Sequence, residues 1–132
     1  MFKITPVHSK NEQIALCQTC GAVYREGAFA YIMFDIDSGD VMGMSQFESG
    51  EAGYIFELLE APGRDDFEAM FILGRQTMNF IDTCGAHTCY TSTDAGSERL
   101  LKAIGFKPAE DGLLWADMTH MFGGCGGKGE NE

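Results

Sequence analysis

Residues 54–85, YIFELLEAPGRDDFEAMFILGRQTMNFIDTCG, read as a strand, a sharp loop and a long helix, and the other elements arrange themselves around this unit. Tyr54, Ile55, Phe56, Leu58 and Leu59 are large and apolar at both parities, as in an interior strand. Pro62-Gly63 supplies the turn. Phe67, Met70, Phe71, Gly74, Met78 and Ile81 then recur at helical spacing as one apolar stripe. Asp65 followed by Glu68 has the capping-box pattern, and Gly85 supplies a stop. A helix that starts where a strand ends offers free backbone N–H groups and partial positive charge at the junction. Whether those groups are free is the functional question the sequence raises.

Working outward, residues 3–7 read as a first strand. Ser9 and Glu12 open a helix carrying Ile14, Leu16, Cys17 and Cys20, which Gly21 closes. Residues 28–36 and 41–48 are strands on either side of the turn Asp37-Ser38-Gly39-Asp40, and Ser49-Gly50-Glu51 turns the chain into the strand that begins near Gly53. Tight turns make these three strands an antiparallel meander. Downstream, residues 86–91 read as a strand and 94–104 as a helix with Leu100, Leu101 and Ile104 inward. Residues 106–107 and 113–117 read as a closing pair of strands. The last stretch, GGCGGKGENE, has almost nothing to bury. The expectation is one α+β domain over residues 1–122, a mixed and mostly antiparallel sheet flanked by helices, with a flexible Gly-rich tail over 123–132.

A chain of 132 residues with 45% hydrophobic content and ten Phe can build a proper core. Its net charge of −11 argues against nucleic acid and anionic membranes as partners and leaves a cationic partner open. No apolar run approaches the roughly 20 residues of a membrane span, and no signal-peptide pattern is visible. Five cysteines, an odd number, suit a reducing compartment, so the expected location is cytoplasmic. Cys17 and Cys20, three apart on a helix, share a face on which two sulfurs meet one metal. The rest of such a site has to come from His87, Cys89, His120 or Cys125. No second CxxC exists, so small buried hydrophobes are the simpler reading and no metal is expected.

The order of elements resembles the GNAT superfamily of acyl-CoA-dependent N-acyltransferases. The residues that carry the likeness are ELLEAPGRDDFEAMFIL and TDAGSERLLKAIGF; in the second, Ala103-Ile104-Gly105-Phe106 is similar to the family's Lys-Leu-Gly-Phe ending. The resemblance implies a GNAT-like fold, acetyl-CoA or coenzyme A as cofactor, and a small-molecule or protein amine as acceptor, and it allows a homodimer. It implies a cofactor-binding set of Leu58, Leu59, Glu60, Arg64, Phe67 and Asp94. Glu57 is then a candidate general base, and Tyr90 a candidate proton donor to the departing thiolate. On residues alone, Glu57 reads equally well as a solvent-facing strand residue and Tyr90 as an ordinary core or surface tyrosine.

The pattern also departs from the family. Its pyrophosphate loop reads Gln/Arg-x-x-Gly-x-Gly/Ala, whereas this chain has Asp65-Asp66-Phe67-Glu68-Ala69-Met70, with Glu68 and Met70 at the glycine positions. Side chains there block close backbone approach, and carboxylates repel phosphate. The family's frequent Tyr in the last helix corresponds to Leu101. The resemblance is therefore to a divergent member with a degraded pyrophosphate motif. Its alternative function is a GNAT-like binding or assembly module that no longer binds coenzyme A.

Overall fold

The computed structural model describes residues 1–122, so the tail expected at 123–132 lies outside the described residues. Strand β1 (Phe2–Pro6) leads into helix α1 (Lys10–Cys20). Ser9 caps that helix by accepting the Glu12 N–H, and Gly21 ends it at φ 78°, a left-handed conformation that glycine adopts without steric cost. Strands β2 (Phe29–Asp35), β3 (Val41–Ser49) and β4 (Gly53–Glu60) form the expected meander. Helix α2 (Phe67–Thr83) carries the chain across to β5 (Thr88–Ser92), and helix α3 (Glu98–Ile104) precedes the short β6 (Lys107–Pro108) and β7 (Leu113–Asp117). Among the described residues these make one seven-stranded sheet in the order β1-β2-β3-β4-β5-β7-β6. Every neighbouring pair is antiparallel except β4 with β5, which α2 connects as a crossover. None of the described helices is long and apolar enough to cross a membrane.

Helices α2 and α3 cover one face of the sheet, over a core that includes Met33, Phe47, Ile55, Leu58, Leu73, Met78, Ile81, Leu101 and Ile104. On the other face, α1 packs Leu16, Cys17 and Cys20 against Met44 and Ala61. Each fully buried side chain of this size contributes about 1.5–3 kcal/mol relative to exposure, and most of that apolar surface lies on the α2 side. Helix α2 sits directly on β4: a Cβ on Gly53 would fall 2.3 Å from the Ile81 Cγ2, and one on Gly74 would fall 3.1 Å from the Leu58 Cδ2.

Strand ends shift by one or two residues, and two helix starts differ from the sequence expectation. The cap of α2 is Asp66 and not Asp65: the Asp66 carboxylate accepts the Ala69 N–H at 3.1 Å. Glu60, at the end of β4, reaches over to accept the Asp66 N–H at 2.5 Å. A contact across the β4–α2 loop thus accompanies the cap at Asp66, and the position three residues after the cap is Ala69, so no capping box with Glu68 forms. Similarly, α3 begins at Glu98 under the cap Ser97, four residues later than expected. The backbone at Ala95 is engaged elsewhere: its carbonyl accepts the Leu58 N–H from β4 at 2.8 Å, while its own N–H goes to Ser92 at 3.2 Å.

Candidate active site

The site is built on an irregularity in β4. Gln46 pairs with Glu57 and the next residue, Phe47, pairs with Ile55, so Phe56 is an extra residue on β4. Without this bulge, Ile55 and Leu58 would point to opposite faces; with it, both enter the α2 core. Phe56 and Glu57 are left together on the α1 side, where both line a cavity of about 430 Å³. Tyr54, Glu48, Val23, Arg25, Ser92 and Asp94 complete its walls.

Glu57 is buried, 8% exposed, and its carboxylate is held at both oxygens. Gln46 Nε2 donates to Oε1 at 2.8 Å, and Arg25 Nη2 lies 3.3 Å from Oε2. Gln46 is itself fully buried and acts as the hub of the network. Its amide nitrogen also donates to the Val23 carbonyl at 2.8 Å, and its oxygen accepts from Gln13 Nε2 at 2.8 Å and from the Arg25 N–H at 3.0 Å. A buried amide with every polar atom engaged gives the neighbouring carboxylate one orientation. The Arg25 guanidinium lies over the Phe56 ring, 4.6 Å from its centroid, and Phe56 in turn meets Tyr54 at 5.1 Å.

On the α2 side of β4 lies a second cleft of about 360 Å³, where Leu58, Leu59, Glu60 and Phe67 meet Asp65, Met70, Ser97, Arg99 and Leu100. Arg99 stacks on Phe67 with its guanidinium carbon 3.9 Å from the ring centroid. Strands β4 and β5 pair only over Gly53–Ile55 and Cys89–Thr91, so they part just before Glu57. The chain itself bridges part of the gap through the Leu58–Ala95 hydrogen bond. The bridge requires Gly96, because a Cβ there would fall 2.8 Å from the Leu58 carbonyl oxygen.

The residues singled out from sequence thus separate into groups. Leu58, Leu59, Glu60 and Phe67 share the second cleft, while Glu57 and Asp94 share the first cavity. Arg64 belongs to neither; it pairs with Asp35 at 3.7 Å and Asp40 at 3.8 Å on the β2–β3 turn. Tyr90 lines a different depression, beside Trp115, Leu113 and Pro108. Leu101 is buried in the core and offers no titrating group. Burial pushes the Cys17 thiol up and the Cys20 thiol up to about 11, which opposes thiolate chemistry at that pair. Sequence reading missed Gln46, Arg25 and Arg99. Gln46 carried one signal, an amide between the large apolar Met44 and Phe47 of its strand; Arg25 and Arg99 carried none, since loop and helix-start arginines are ordinary.

The sequence matches no family model and no curated protein. Solved structures do match. The ribosomal-protein-S18-alanine N-acetyltransferase of Escherichia coli superposes with a TM-score of 0.66 at 12% identity, covering 89% of this chain and 94% of that one. The chain has the GNAT acetyltransferase fold. N-acetylglutamate synthase from Neisseria gonorrhoeae, solved with coenzyme A and N-acetyl-glutamate, gives a TM-score of 0.71 at 13% identity over 91% of this chain and 36% of that one. A GNAT family acetyltransferase from Brucella melitensis, in complex with acetyl-CoA, gives 0.66 at 15% identity over 98% and 94%. The seven-stranded mixed sheet with its three helices is thus the GNAT fold, reached here with little sequence in common.

Proposed function

We propose that this chain is a GNAT-type N-acyltransferase acting on an amine, with Glu57 as the group that takes the proton the amine must lose to become a nucleophile. The bulge in β4 is the observation that carries the reading. It turns Glu57 to the same side as Phe56, so that the carboxylate enters the first cavity while Leu58, on the opposite face, lines the second cleft. The buried Gln46 holds that carboxylate in one orientation, as a positioned base requires. Tyr90 stands in a separate depression and has no part in this proposal.

The residues present fit only part of an acyl-CoA. Leu58, Leu59, Phe67, Met70 and Leu100 suit an apolar acyl-thioester arm, and Arg99 adds one cation. The start of α2 does not fit a diphosphate. Glu60 already takes the Asp66 N–H and Asp66 takes that of Ala69, and Asp65 and Glu68 add further carboxylates. At an effective dielectric near 20, two unit charges 4 Å apart repel by about 4 kcal/mol before salt screening. A second reading rests on this same observation: a GNAT-fold binding module that no longer takes coenzyme A.

Calorimetric titration of the folded protein with acetyl-CoA and with free coenzyme A tests the choice. Micromolar binding of either supports the acyltransferase reading and directs work to the acceptor. No heat at millimolar ligand refutes it in favour of the binding module.

A further inference from the structure

We infer that Arg25 is a built-in competitor for the acceptor: its guanidinium occupies the cavity at Glu57 until a cationic amine displaces it, and the amine so selected bears a second positive charge. The inference rests on the reading of the Glu57 cavity as the acceptor site, and it deepens that reading by naming the substrate class.

Arg25 lies in the loop joining α1 to β2, outside regular structure, and reaches back to β4. Its guanidinium has two attachments in the cavity, the face of Phe56 at 4.6 Å and one oxygen of Glu57 at 3.3 Å. Both are of the kind an alkylammonium group makes. The Arg25 side chain is 41% exposed whereas that of Glu57 is 11% exposed, so the guanidinium can move out to water while the buried carboxylate calls for another cation in its place. The backbone that carries it stays fixed, because the Arg25 N–H and the Val23 carbonyl are both bonded to the buried Gln46. The side chain can therefore swing out while the loop remains in place.

The rest of the cavity shows what would replace it. Tyr54 extends the aromatic surface beside Phe56, and Glu48 and Asp94 stand on the walls. Among the described residues, neither Glu48 nor Asp94 has a basic side chain within ion-pairing distance. With Arg25 displaced, the cavity would hold three carboxylates and no cation. It would then take one ammonium at Glu57 and a second toward Glu48 or Asp94, and it would disfavour amines that carry a carboxylate of their own.

The test is calorimetric titration with 1,4-diaminobutane in the absence of any acyl donor. Removing the competing guanidinium in Arg25→Ala should tighten binding about five-fold, the scale of a half-exposed ion pair plus a cation–π contact. Arg25→Lys should stay near the wild type, Glu57→Gln should weaken binding, and n-butylamine, with one ammonium, should bind more weakly than the diamine. Arg25→Ala with unchanged or weaker affinity overturns the inference, as does absence of diamine binding in folded wild type and variant alike. Arg25→Gln, which keeps the bulk of the side chain, should repeat the gain if Arg25→Ala folds poorly. Acyl transfer is read separately by mass spectrometry. Tighter diamine binding without acylation from acetyl-CoA would refute the enzyme reading and leave the competitor standing, and acylation with unchanged diamine affinity would do the reverse.

Discussion

Gln46→Leu is the sharpest test of how the site is held. The substitution nearly conserves volume but removes the hub that satisfies the Gln13 amide, the Val23 carbonyl, the Arg25 N–H and one Glu57 oxygen, all at 2.8–3.0 Å. A buried polar group left without a partner costs about 1–3 kcal/mol, more if it is charged. Arg25, Glu57 and Val23 border the cavity and can be reached by water, so their share is reduced, while buried Gln13 keeps most of its own. The extra apolar burial of Leu offsets a little. The net expectation is a loss of roughly 3 kcal/mol, which for a domain of this size lowers Tm by roughly 10 °C. Urea unfolding with an unchanged slope, together with calorimetric Tm, measures it. Combining Gln46→Leu with Glu57→Ala should give a loss smaller than the sum of the two, because both remove the hydrogen bond from Gln46 to Glu57. A loss below about 1 kcal/mol, or strict additivity, would refute the claim that one buried amide organises the cavity.

Two further outcomes follow from the helix start and the β2–β3 turn. Asp66→Ala should cost about 1 kcal/mol in urea unfolding, as the loss of an N-cap does, whereas Asp65→Ala should be close to neutral; the reverse order would mean that the cap is misassigned. The Asp35 carboxylate accepts the N–H groups of Asp37 and Ser38 and faces Arg64, and these pull its pKa below the ordinary 3.8. A depressed value in the folded state means that this contribution is complete above the unfolded pKa and is lost as pH falls through the folded one. Stability measured between about pH 5 and pH 2 should therefore fall less steeply in Asp35→Asn than in the wild type, and identical slopes would remove Asp35 from the account.

Much of the fold could be read from neighbouring residues. Ser9 with Glu12, the Asp37–Asp40 turn, the apolar stripe of α2 and the inward face of α3 all sit where their local patterns put them. The expectations that moved were those for which a group outside the helix competes. Glu60 shifts the cap of α2 by one residue, and the bond from Leu58 to Ala95 delays the start of α3. The sites show the same division. Leu58, Leu59, Glu60 and Phe67 come together because they lie on one strand–loop–helix unit already visible in the sequence. Arg64 leaves that group because acidic residues on a separate turn attract it.

The sequence by itself determined the order of strands and helices and the acidic character of the α2 start, because periodicity, capping and charge act between residues close in the chain. The bulge at Phe56 was decided only in three dimensions. It is a mismatch of one residue between β3 and β4, and register belongs to a pair of strands, not to either one alone. From that one extra residue follow the direction of Glu57, its bond to Gln46 and the lodging of Arg25 over Phe56. None of these contacts is encoded locally, because each joins segments that meet only when the sheet closes.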